Sequence, residues 1–183
     1  MSTEPGFIKI TKLDAARRQL RTAIALWRDD GDPVSTHALA FAAYEVIHAV
    51  SKKRNPSRPD LLFDWLRVKD DGRKQFNLVI KQHANFFKHA DRDGDAAIEF
   101  PLSLSETFIL FAILGVKHCG EPQSDEELAF LHWREMHGPN YPKKVGPNGF
   151  IDGSPMETVK QVLALSKREF FERFIQARIR TRQ

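Results

Sequence analysis

The sequence predicts an all-α fold, a single helical bundle of six or seven helices, and three observations carry that prediction. Apolar residues recur at three- and four-residue spacing through most of the 183 residues. Capping residues stand where several of these stretches begin, and no run alternates apolar and polar residues for long enough to make a confident strand. At most Phe7 to Ile10 could pair at an edge. The length suits one domain, read as a helical core over about residues 12–119 with a C-terminal helical extension over about 124–183.

In the first helix, Lys12 to Trp27, the residues Leu13, Ala16, Leu20, Ala23, Ile24 and Trp27 share one face, and Arg17, Arg18 and Arg21 lie opposite. Asp29-Asp-Gly-Asp-Pro33 ends it. Asp32 is placed to cap a second helix, and Pro33 occupies a first position where a missing N–H costs nothing. This second helix, Pro33 to Lys53, is rich in Ala and is expected at the bundle centre, because small side chains let neighbours approach. Asn55-Pro-Ser-Arg-Pro59 breaks it, and a short helix through Leu61, Leu62, Phe63, Trp65 and Leu66 is expected next.

A fourth helix, Arg73 to His89, carries an aromatic face of Phe76, Val79, Ile80, His83, Phe86 and Phe87. A fifth, capped by Ser103 or Ser105 and running through Cys119, is apolar on nearly all sides from Phe108 to Val116 and should be surrounded by others. Ser124 with Glu127 makes a capping box for a sixth helix through Met136. Residues 138–153 are rich in Gly and Pro without periodicity and read as a long loop. A second capping box, Ser154 with Glu157, and Pro155 at the first position open the last helix.

Composition narrows the function classes. A chain that is 42% apolar and 28% charged is that of a globular protein, and the lone Cys119 excludes an internal disulfide framework, so a reducing cytoplasmic location is expected. No secretory leader pattern is seen, and Phe108 to Val116 is far too short to span a bilayer, so no membrane role is expected. The net charge of +4 is unevenly spread. Lys52, Lys53, Arg54 and Arg58 form one basic cluster, and the last helix presents Arg168, Arg173 and Arg178 opposite an apolar side. Lys52, Lys53, Arg54, Arg168, Arg173 and Arg178 are therefore candidate nucleic-acid contacts, since phosphate binding needs a stripe of cations.

Two metal readings are incomplete. Glu45-Val-Ile-His48 has the spacing of a di-iron ligand pair, and His83 is the third candidate ligand, but the second such pair and the further Glu residues of a full site are missing. Asp91, Asp93, Asp95 and Ile98 fall as in a calcium loop. Ala96 stands where the turn needs Gly, and Leu102 stands where a bidentate carboxylate is needed. No cofactor is expected.

Asn85-Phe-Phe-Lys-His89 resembles the end of the motif of HEPN domains, small helical bundles of which many are nucleases of toxin systems. The Ala-rich second helix with its Asp-Pro start is similar to that family's pattern, and the resemblance covers about residues 12–90. It implies a HEPN-like core, a homodimer, and catalytic roles for His89 in proton transfer and for Asn85 beside it. Ala84 stands where the family's Arg would stabilise charge on the scissile phosphate, which argues against catalysis. The expectation is a non-catalytic cytoplasmic interaction or nucleic-acid-associated module with an RNA or protein partner. The alternative is an enzyme, either a divergent HEPN-type RNase or a metal-dependent helical bundle.

Overall fold

A computed structural model describes residues 6–58, 60, 62–64, 66–89, 94–138, 150–151 and 154–182, with 150–151 and 154–157 described by their backbone only. Among these residues there are seven α-helices: α1 (Lys12–Arg28), α2 (Pro33–Arg54), α3 (Arg73–Phe86), α4 (Ser103–His118), α5 (Asp125–Met136), α6 (Met156–Leu163) and α7 (Lys167–Arg180). The exceptions are a 3-10 turn at Asp70–Gly72 and a two-residue antiparallel ladder that sets Phe150 opposite Pro155. The fold is all-α, as predicted. The chain divides into two compact units, Met1–Pro122 and Gln123–Gln183.

In the first unit α2 packs along both α1 and α4. Ala16, Ala23, Ala40, Ala43 and Ala112 are fully buried, so small side chains let the three backbones approach. Phe41, Phe108 and Phe111 fill the space between them, each worth about 1.5–3 kcal/mol of transfer free energy. Two of the starts are locally encoded. The Thr11 hydroxyl accepts from the Asp14 N–H at 3.1 Å while the Asp14 carboxylate accepts from the Thr11 N–H at 3.2 Å, a capping box. The Asp32 carboxylate accepts from the Ser35 N–H at 2.7 Å, with Pro33 next to it.

Several expectations need correction. The described residues around 61–66 form turns, not a helix. The Asp60 carboxylate takes the Leu62 and Phe63 N–H groups at 3.0 Å each, and Arg67 adopts a left-handed φ of 53°, which stops helical propagation. Neither Ser103 nor Ser105 caps α4. Leu102 holds the N-cap position without a side-chain bond, and Ser105 is buried. Helix α3 stops at Phe86, and the Lys88 and His89 N–H groups close the end by bonding to the Asn85 carbonyl, each at 3.1 Å. Phe7 to Ile10 form no strand and are exposed.

In the second unit the Ser124–Glu127 capping box is formed, with bonds of 3.2 and 3.1 Å, and α5 packs on α7. The single last helix is in fact two. A further capping box, Ser166 with Glu169, restarts the chain as α7, with bonds of 3.3 and 2.9 Å. Trp133, Phe170 and Phe174 make its aromatic contacts, with ring centroids 5.4 and 6.0 Å apart along the series. Ser154 and Pro155 belong to the short ladder, and α6 starts at Met156, not at Pro155. The side chains of Ser154 and Glu157, and residues 139–149 and 152–153 of the expected loop, lie outside the described residues.

Candidate nucleic-acid interface

The end of α2 supplies the exposed residues Lys52, Lys53 and Arg54. Two arginines tie this end to the end of α4. The Arg54 guanidinium donates to the Cys119 carbonyl, and Arg58 donates to the His118 carbonyl at 3.2 Å. These bonds satisfy carbonyls that a helix terminus leaves without partners. They also bring exposed Lys117 and half-buried His118 to the same end of the unit. Burial, followed by the nearby Arg58 and Lys117 charges, holds the His118 imidazole below its ordinary pKa.

The third contributor is the start of α1. Arg17 donates to the Pro122 carbonyl at 2.9 Å and lies 3.8 Å from the Glu121 carboxylate, which Arg54 approaches from the other side at 3.1 Å. A groove of about 410 Å³ is lined here by Lys12, Asp14, Arg17, Val50, Arg54 and Glu121, with Thr11 and Leu13 completing it. One end of the unit thus gathers Lys12, Arg17, Lys52, Lys53, Arg54, Arg58 and Lys117 against Asp14 and Glu121. Cys119 is no nucleophile in this setting. It is buried, its thiol lies 3.8 Å from the Ile47 carbonyl, and burial pushes its pKa up.

The C-terminal arginines behave differently. Arg178 and Arg182 both bind the Asp125 carboxylate, at 2.7 and 2.8 Å, and together hold its pKa below the usual carboxylate range. Arg178 is therefore committed to linking α7 to α5. Arg168 and Arg173 are exposed on the same helix.

The remaining candidates are dispersed. Asn85 and His89 are exposed at the end of α3, whereas Ala84, where the resemblance noted in the sequence would call for an arginine, is completely buried. Glu45 pairs with Lys81 at 3.1 Å and His48 with buried Asp60 at 3.3 Å, while the Nε2 atom of His83 is 3.0 Å from the Glu99 carbonyl oxygen. Each proposed metal ligand thus has a partner of its own, and no group of three potential ligands converges among the described residues. Asp91 and Asp93 lie outside the described residues.

The sequence places His37 on one face of the second helix with Tyr44 and His48, where a hydrogen-bonded polar group is expected, and the structure corrects this for His37. It is fully buried, with Phe41, Phe87, Phe100 and Phe108 at ring-centroid distances of 6.1, 5.8, 4.9 and 5.4 Å. Neither ring nitrogen has a hydrogen-bond partner, and burial, reinforced by His83 and Lys88, lowers its pKa to about 4. A neutral ring in an aromatic cage is core packing of the N-terminal unit. Comparison of the chain with protein-family models, curated proteins and solved structures gives no match.

Proposed function

We propose that the N-terminal unit is a non-catalytic binding module for RNA, which it holds through the basic end formed by α1, α2 and α4. The observation that carries this reading is the convergence of cations from three separate elements on one end. Lys52 and Lys53 stand exposed there, and Arg17, Arg54 and Arg58 are held by backbone carbonyls. Guanidiniums held in advance lose less freedom when they meet a phosphate. Catalysis has no comparable support. Asn85 and His89 are exposed at a helix end, and position 84 faces the core, where a guanidinium would be buried.

Fluorescence anisotropy with a labelled single-stranded RNA tests this. If four phosphates are contacted, affinity falls about fiftyfold between 50 and 200 mM salt, from a logarithmic slope of about −0.7 per phosphate. The double variant Lys52→Glu/Lys53→Glu weakens binding by about tenfold or more at low salt and leaves the thermal transition in place. Salt-independent binding, or an unchanged affinity of the double variant, would refute the reading. RNA cleavage lost in His89→Ala would replace it with the HEPN-type nuclease.

A further inference from the structure

We infer that Arg17 and Arg54 form a phosphate seat within this basic end, and that Glu121 occupies the seat as an internal anion that the RNA backbone must displace. The inference rests on the RNA-binding reading and assigns to it a site and a brake. Its origin is a local rule of helix endings. Helix α4 stops at Cys119, Gly120 takes a left-handed φ of 78°, and the chain folds back on itself. The Gly120 N–H bonds to the Lys117 carbonyl at 3.0 Å and the Glu121 N–H to the Val116 carbonyl at 3.3 Å. This is the Schellman pattern, which holds the residue after the glycine close to the helix end.

Glu121 is thereby delivered between two guanidiniums from different helices. One carboxylate oxygen lies 3.1 Å from Arg54 and the other 3.8 Å from Arg17. A phosphate diester offers the same pair of anionic oxygens to the same donors. Both arginines keep an anchor that does not involve Glu121, namely the Pro122 carbonyl for Arg17 and the Cys119 carbonyl for Arg54. The seat therefore survives when the carboxylate leaves. The carboxylate side chain retains 32% of its exposure and the two arginines retain 29% and 47%, so the bridge contributes little to stability and is displaceable. The groove beside it, with Lys12 on its wall, leaves room for the neighbouring nucleotide.

Glu121→Gln keeps the shape and removes the charge. Asp14→Asn is the matched control, because Asp14 lines the same groove but is engaged by its own capping box with Thr11. With a fluorescein-labelled oligouridylate at low salt, Glu121→Gln is expected to raise affinity about fivefold and Asp14→Asn by less than about twofold; both change net charge equally, so the difference isolates the seat. Measured against Arg17→Gln alone, Glu121→Gln should raise affinity by less than about twofold, as coupling through a shared seat requires. Thermal unfolding confirms that each variant is folded. Equal gains from the two neutralised carboxylates, or no gain from Glu121→Gln while the wild type binds, would overturn the seat and leave the RNA reading standing. Absence of binding by both wild type and Glu121→Gln would remove both.

Discussion

Helix α2 carries basic residues near both ends and treats them in opposite ways. Near its start His37 is fully buried among four phenylalanines, with both ring nitrogens unpartnered and its pKa lowered to about 4. At its end Lys52 and Lys53 project into solvent beside arginines held by backbone carbonyls. Burial keeps the imidazole neutral so that it contributes packing, while exposure lets the lysines keep their charge. A cation in the aromatic end would be stripped of water and would meet the His83 and Lys88 charges, so the ring stays neutral. At the other end water and the α4 terminus accommodate the charge.

Three experiments probe this contrast. The largest effect is expected from Phe108→Ala in the aromatic end. Phe108 is fully buried and touches His37, Phe41 and Tyr44. Its truncation should cost about 3–5 kcal/mol in urea unfolding. RNA affinity of the molecules that remain folded should be unchanged, and a loss of affinity at constant folded fraction would show that the two ends are coupled.

Acid comes next. His37 ionises near 4 in the folded unit and near the ordinary 6.5 in the unfolded chain. Above pH 6.5 the ring is neutral in both states and contributes nothing to pH dependence. As pH falls below 6.5 the unfolded chain binds the proton first, so stability drops, and the drop levels off below about pH 4. The gap corresponds to about 3 kcal/mol. His37→Phe should flatten this part of the pH profile, measured by urea melts from pH 7 to 4; an unaltered slope would show that His37 is not its source.

The smallest effect belongs to the basic end. Gly120→Ala places a side chain at a φ of 78° where nothing stands within 4 Å of the new methyl group. The cost should be about 1 kcal/mol of backbone strain, read by thermal unfolding. A cost as large as that of Phe108→Ala would mean that this end is packed like the other.

Legibility followed the range of the interaction. The Asp32 cap with Pro33 and the Ser124–Glu127 box were readable because their bonds join residues three apart. The periodic face of α1 was equally readable, since Leu13, Ala16, Leu20, Ala23, Ile24 and Trp27 are all buried. The break between α6 and α7 carries a signal of the same range, Ser166 with Glu169, but no Gly or Pro marks it, so apolar periodicity alone predicts one continuous helix. The segment at Leu62–Leu66 stops short of a helix although Asp60 caps its start with bonds to the Leu62 and Phe63 N–H groups, because Arg67 turns to a left-handed φ of 53° directly after it.

The basic end shows the other limit. Arg17 looked like part of a solvated face, and Lys117 belonged to no cluster in the sequence. Gly120 was a visible hint that Glu121 folds back, but its destination depended on Arg54, some 67 residues away in the chain. By itself the sequence determined the all-α class, most helix starts and the apolar faces, because caps and periodicity are contacts within one or two turns. Only the tertiary structure decided that Arg17, Lys52, Arg54, Arg58 and Lys117 share an end and that His37 is caged. Both depend on how α2 packs with its neighbours, and no residue records that packing locally.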